Sequence, residues 1–300
     1  MITYQACPVC DSTAIQQVLV AKDHTVSSES FSIWQCANCS LRFTQNIPAP
    51  GEIGRYYKSE EYISHSETSR GIVNWLYLRV RKFTLSSKRK FIEDETGKTK
   101  GNLLDIGAGA GAFVHHMKDN GWTTEGTEPD PLAIERAYNH YGIRLKPSPE
   151  LFSYGQPSFD AVTMWHVLEH VHDLHEYVSQ IKRICAPGGK IFIAVPNYTS
   201  FDADHYAAEW AAYDVPRHLY HFSPASMQEL MKRHGCKIEK MQPMWFDSFY
   251  VSLLSEKYKT GHANLITGFW NGLRSNIKAL SNKRRASSII YVINPHQLPA

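Results

Sequence analysis

From residue 101 onward the chain alternates short apolar runs with stretches in which apolar residues recur every three or four positions. NLLDI, TTEGTE, IRLKP, FDAVTMW and KIFIAV suit strands, whereas AFVHHMKDNG, DPLAIERAYNHYG and DLHEYVSQIKRIC suit helices. Strands separated by helices predict right-handed crossovers, hence an α/β fold on a doubly wound parallel sheet. Ligands on such sheets sit at the carboxyl ends of the strands, near the point where strand order reverses.

Upstream the pattern changes. IPAPGEIGRYY reads as a linker because of its prolines and glycines. Thr68 to Ile92 contains no acidic residue, and Arg70, Arg79, Arg81, Lys82, Lys88, Arg89 and Lys90 interleave with apolar positions, which predicts a basic amphipathic helix or helix pair. Such a helix either meets an anionic membrane surface or a phosphate-rich partner, or packs its apolar stripe on the core and leaves a basic face in water. The shifts divide the chain into residues 1–47, a linker with a basic helical lid over 48–98, and a main domain over 99–300.

Composition narrows the class. Three hundred residues, 43% hydrophobic and 20% charged, suit one sizeable globular domain with a small accessory unit. No apolar run approaches the ~20 residues of a membrane span, and MITYQACPVC lacks the regions of a signal peptide, so a cytoplasmic protein is expected. A net charge of +3 does not by itself imply a nucleic-acid partner. Four of the six cysteines are grouped: Cys7 and Cys10 in CPVC, Cys36 and Cys39 in CANC. Two C-x-x-C knuckles can set four thiolates tetrahedrally around zinc, and the strand-and-turn character of Thr25 to Trp34 between them suggests a zinc ribbon. Asp11 and Ser40 stand where a ribbon often has glycine. Cys185 and Cys236 read as small buried hydrophobes.

The stretch LLDIGAGAGAF, Leu103 to Phe113, follows the first strand of the alternating region. Its glycines permit positive φ and let a ligand approach the backbone. Read as G-x-G-x-x-A, with Ala112 last and Glu128 placed to bind a ribose, it fits a dinucleotide site. The GKT at Gly97 to Thr99 is not a P-loop, since Ile92 stands at the first glycine's position.

The acid ending the first strand in D-x-G-x-G-x-G, a second acid ending the next, FDAVTMWHVLEHV and PGGKIFIAVPN together resemble the class I S-adenosylmethionine-dependent methyltransferases. VPRHLYHFSPASMQELMKRHGCKIE resembles, within them, the branch of the quinone-biosynthesis O-methyltransferases, some members of which begin with a zinc ribbon. The resemblance implies a seven-stranded Rossmann-like sheet, with CKIEKMQPM as strand six, SSIIYVIN as strand seven, and a helical insert over about 246–285 before the last strand. It implies S-adenosylmethionine at Asp105, Gly107, Gly109, Gly111, Glu128 and Trp165, and Tyr62 and His65 as a lid. An acid beside the turn suits the cofactor's ammonium, whereas it repels a pyrophosphate.

Methyl transfer needs alignment and, for an oxygen acceptor, removal of a proton. On a helix, His166, Glu169 and His170 would share one face. The resemblance implies a second, divalent metal there, since related enzymes carry E-x-x-E-H; here His166 replaces the first acid, which favours a softer ion than magnesium. The other reading makes Glu169 and His170 structural parts of an LEH turn. His170, His218 and His221 are candidate bases, with an unperturbed pKa of about 6.5. The expected function is O-methylation of a small or lipid-linked acceptor, with peripheral membrane contact. The alternatives are an RNA methyltransferase using the ribbon and basic helix, and a non-catalytic zinc-ribbon adaptor.

Overall fold

The computed structural model describes residues 1–57, 72–262 and 264–296, with the side chains of 72–81 not described. Tyr62, His65 and Arg70, and the side chains of Arg79 and Arg81, therefore lie outside the described residues.

The N-terminal unit comprises β1 (Ile15–Lys22), β2 (Ser30–Cys36) and β3 (Arg42–Thr44), joined antiparallel. The sequence pattern had pointed only to the second of these. The two knuckles flank β1 and β2, and Asp11 and Ser40 take up left-handed φ of 56° and 62° without glycine. Each turn is closed by a backbone bond, Asp11 N–H to Cys7 O and Ser40 N–H to Cys36 O, both at 3.0 Å.

After the helix α1 (Ile72–Thr96) the main sheet begins: β4 (Asn102–Ile106), α2 (Ala112–Asp119), β5 (Thr123–Glu128), α3 (Pro131–Tyr141), β6 (Lys146–Pro147), β7 (Phe159–Trp165), α4 (Leu174–Ile184) and β8 (Cys185–Pro196). Then come α5 (Phe201–Tyr206), β9 (Tyr220–His221), α6 (Pro224–Arg233), β10 (Lys237–Pro243), α7 (Asp247–Thr260), α8 (Leu265–Ser281) and β11 (Ser288–Asn294). The seven-stranded sheet runs β10-β11-β8-β7-β4-β5-β6, parallel except where β11 meets β8 and β10. This is the Rossmann-like methyltransferase sheet, with the helical insert between its last two strands. Central strands are buried on both faces, which is why β4, β8 and β11 read as continuous apolar runs. Helix ends follow local chemistry: Asp130 accepts from Leu132 N–H ahead of α3, and Ser223 and Ser226 form a reciprocal cap on α6.

The N-terminal sheet is not closed by its own residues. Its fourth strand is β9, which pairs with β3 through Arg42–His221 and Phe43–Tyr220. The knuckle cysteines share one apolar cluster with Leu104, Val162 and Ile193 of the main sheet. Arg217, 1% exposed, links the two units. Its guanidinium donates to Asp23 Oδ1 at 3.0 Å, to Asp214 Oδ1 at 2.6 Å and to Tyr56 O at 2.7 Å. Burial would raise both acids, but the arginine and, at Asp23, backbone donors hold them below the ordinary carboxylate value.

Replacing Arg217 with methionine strands the buried Asp23 and the partly exposed Asp214, and should lower stability by about 3 kcal/mol in urea unfolding. A loss of under ~1 kcal/mol would show that the ion cluster is not a structural tie. Because both acids titrate below their unfolded values, the stabilisation is complete above pH ~4 and disappears on acidification.

Candidate active site

The carboxyl ends of β4, β5 and β7 meet where strand order reverses, and the polar residues singled out by the sequence converge there. Asp105 is buried and accepts from Thr163 Oγ1 at 2.6 Å. Burial pushes its carboxyl up to about 7, against the pull of Thr163 and Lys88. The three glycines serve different purposes. A Cβ on Gly107 would stand 2.4 Å from Val167 Cγ2, and one on Gly111 would stand 2.9 Å from Ala137 Cβ, whereas one on Gly109 would meet no protein atom within 4 Å. Gly107 and Gly111 are thus required by packing, and Gly109, at φ 53°, faces open space. Glu128 is drawn over the turn by Gly109 N–H at 2.8 Å and Asp130 N–H at 3.1 Å, and burial raises its pKa.

Trp165 ends β7, its ring edge-on to Phe113 with centroids 5.6 Å apart. Over its face lies Lys88 of α1, Nζ 4.0 Å from the ring centroid. Burial lowers the lysine's pKa, while the carboxylates of Asp105 and Asp247 act to raise it. The sequence showed Lys88 only as one of several cations on a basic helix; helical register alone could not tell which one faces the strand ends.

The segment after Trp165 is a bend and a 3₁₀ turn, Leu168–His170, and not the α-helix on which a shared His166, Glu169 and His170 face was expected. His166 has φ 58°. Its Nε2 meets Asp247 Oδ2 at 2.9 Å and its Nδ1 lies 3.3 Å from Glu169 Oε1. Burial alone would lower its pKa, but the Asp247 and Glu169 carboxylates prevail and push it up to about 10. Asp247, the first residue of the inserted α7, had no sequence signal, because its partner is 81 positions away.

Three ligating groups lie together beside this bend. One oxygen of Glu169 and one ring nitrogen each of His170 and His218 lie within 4.8 Å of one another. Glu169 is fully buried; apart from the His166 ion pair at Oε1, 3.3 Å away, neither oxygen meets a donor in hydrogen-bond geometry. Burial would raise its pKa, yet the neighbouring histidines hold it below its ordinary value. Nδ1 of His170 lies 3.0 Å from Arg217 O, and Nδ1 of His218 lies 2.9 Å from Ala212 O. A carbonyl accepts only, so each ring carries a proton on Nδ1, and on His170, which burial keeps neutral, Nε2 offers its lone pair. The rings meet edge to face at 4.5 Å. Burial and the nearby His218 lower His170 to about 4. His221 is elsewhere in its contacts: its Nε2 lies 3.1 Å from Thr44 Oγ1 in the N-terminal sheet.

The knuckle cysteines make a second set. Their four Sγ atoms lie within 4.8 Å of one another, with Cys7–Cys39 and Cys10–Cys36 both at 3.5 Å. Bonds of ~2.3 Å to a tetrahedral zinc require sulfur separations of about 3.8 Å, which this buried quartet fits.

Sequence comparison agrees with the geometry. A family model described as a methyltransferase domain matches residues 77–241. The ubiquinone biosynthesis O-methyltransferase of Xanthomonas oryzae pv. oryzae is 27% identical over 158 residues, covering 48% of this chain and 66% of that protein. The mitochondrial enzyme of that name from Rattus norvegicus is 25% identical over 186 residues, covering 53% of this chain and 54% of the relative. The chain thus spans just under two thirds of the bacterial relative's length. The structure of an S-adenosylmethionine-dependent methyltransferase from Archaeoglobus fulgidus aligns with a TM-score of 0.48 at 20% identity, over 71% of this chain and 93% of that one. With the family match covering more than half of its residues and the motifs of the glycine turn lying inside it, the chain belongs to the methyltransferase domain family, in its class I S-adenosylmethionine-dependent group.

Proposed function

We propose that this protein methylates an oxygen of a small or lipid-linked acceptor, using S-adenosylmethionine. The observation that carries the reading is the juxtaposition, at the ends of β4 and β7, of the glycine turn with the Glu169, His170 and His218 group. The residues fit the cofactor's chemistry: Glu128 suits two ribose hydroxyls, Asp105 favours an ammonium over a phosphate, and Lys88 supplies a cation for the carboxylate of the amino-acid end. Gly109 leaves the backbone open to approach, and Trp165 offers a wall. When bound, the cofactor supplies an electrophilic methyl on a sulfonium. The chain's own task is to orient the acceptor and take its proton. With no ion bound, Nε2 of His170, whose ring burial keeps neutral, suits that role; with an ion bound, the ring nitrogens of His170 and His218 would hold the ion instead.

A divalent metal is the finer proposal. The set is Glu169, His170 and His218 in place of the expected His166, Glu169 and His170, because His166 is engaged by Asp247. Two imidazoles and one carboxylate favour zinc, iron or manganese over magnesium. Such an ion would share Glu169 with the His166 ion pair and hold an acceptor's vicinal oxygens. The N-terminal unit is proposed as a zinc-held wall of this site: Thr44 Oγ1 donates to His218 O at 2.8 Å. The relatives named for ubiquinone biosynthesis support an oxygen acceptor. The RNA reading gains no such support, and Arg42, a cation of the ribbon, is engaged by Gln35 at 2.9 Å and Tyr213 at 2.6 Å.

Calorimetry should show S-adenosylhomocysteine binding that is abolished by Gly109→Val, which forces a branched residue into positive φ, and weakened at least about tenfold by Lys88→Met. Binding of NAD without S-adenosylhomocysteine would overturn the cofactor assignment. Methylation of catechol acceptors, with and without a prenyl tail, tests the reaction itself, and activity confined to RNA would reject it.

Elemental analysis of protein purified without chelator should find one zinc that is lost on Cys39→Ser, and a second metal equivalent that is lost on His170→Ala while cofactor affinity stays unchanged. One equivalent in both wild type and His170→Ala would remove the metal from the acceptor site. Zinc removal should loosen the N-terminal sheet first.

A further inference from the structure

Helix α8 turns its small residues toward the protein and its large apolar ones outward. The buried positions are Gly268, Asn271, Gly272, Ser275 and Ala279. Gly268 and Gly272 let α8 approach α7 closely, since a Cβ on them would stand 2.8 Å from Leu253 Cδ2 and 2.8 Å from Phe249 Cα. Buried hydrogen bonds fix the helix's rotation: Ser275 Oγ donates to Asp202 at 2.6 Å, and Asn271 Nδ2 donates to Tyr206 Oη at 2.9 Å. The opposite face carries Leu265, Ile266, Phe269, Trp270, Ile277 and Leu280, all more than half exposed. At one residue per 100° of helix these six occupy an arc of about 140°. Exposed Arg274 borders the arc, exposed Lys278 lies one turn further on the same side of the helix, exposed Lys283 follows, and residues 265–285 contain no aspartate or glutamate.

The apolar surface also leads toward the active site. Phe269 stacks on Phe249 of α7 at 5.2 Å, and Phe246, just ahead of that helix, meets Phe83 at 5.9 Å. Asp247, next to Phe246, is the residue that holds His166.

We infer that α8 docks this protein on an anionic lipid bilayer, its apolar arc at the boundary of headgroups and acyl chains and its cations on the headgroups. No helix among the described residues is long and apolar enough to cross a membrane, so the contact is a surface one. The charge selects lipid over a second copy, because a two-fold contact through this face would bring the cations of both copies together without acids to meet them. The inference deepens the reading of a lipid-linked acceptor, and rests on it only for what the surface delivers.

The test is co-sedimentation of the full chain with vesicles of phosphatidylcholine alone and of phosphatidylcholine mixed with phosphatidylglycerol, at low salt. Wild type should partition onto the mixed vesicles and far less onto the neutral ones. Ile266→Asn with Trp270→Asn should lower partitioning at least about tenfold. Arg274→Gln and Lys278→Gln should each lower it about fivefold. Circular dichroism and S-adenosylhomocysteine affinity should be unchanged in all variants. Absent partitioning onto anionic vesicles, or equal partitioning of wild type and variants, would overturn the inference. So would a wild-type dimer that the Ile266 and Trp270 variant loses, which would assign the face to a second copy. In the wild type, absent vesicle binding with cofactor binding present rejects the docking alone; vesicle binding present with cofactor binding absent rejects the cofactor reading alone.

Discussion

The buried guanidinium of Arg217 is the interaction on which the arrangement of the site depends. It draws Asp23 from the N-terminal unit and Asp214 from the main domain to one point, and its carbonyl receives Nδ1 of His170. The next residue is His218. A charge this deep is stable only while both carboxylates and the Tyr56 carbonyl surround it, so the loop before β9 has little freedom. The imidazoles are thereby held in one tautomer, at one distance from Glu169.

The N-terminal unit is consequently part of the site and not an appendage. β9 adds a strand to its sheet, Thr44 binds the His218 carbonyl, and Leu219 N–H donates to Glu169 O at 2.7 Å. The knuckles keep the hairpin in shape with few apolar residues, as small units require. A second long-range tie comes from the other end of the chain. α7 begins at Asp247, whose carboxylate fixes His166 in its left-handed bend, and the same helix carries the close packing against α8. Strain in the bend is compensated by this ion pair.

Electrostatics at the strand ends follows from that assembly. Asp105, Glu128, Glu169 and Asp247 converge with Lys88 and His166, and burial strengthens each interaction. Glu169 has the His166 ring at one oxygen, 3.3 Å away, and no hydrogen-bond partner at the other among the described residues. A buried carboxylate in that state draws a cation, a proton donor or an acceptor hydroxyl.

Local rules made much of this legible in the sequence. The alternation of periods located β4 through β8 and the helices between them, because strands buried on both faces must be apolar and helices packed on one side must repeat every three to four residues. The knuckle spacing located the four cysteines, and the glycine turn located Asp105 and Glu128, since these are contacts among near neighbours or adjacent strands. IRLKP was expected as a full strand but forms only Lys146–Pro147, where the sheet edge offers a single partner. What tertiary structure alone decided are the pairings across long separations: Lys88 over Trp165, Asp247 on His166, Arg217 on Asp23, and His218 grouped with Glu169 and His170. Periodicity says that a residue lies on a face, but not which distant residue that face meets; a left-handed bend at His166 is invisible to it. The helix α8 shows the same division: a helical insert over about 246–285 was expected from the sequence, and only packing against α7 determined that its apolar side points away from the protein.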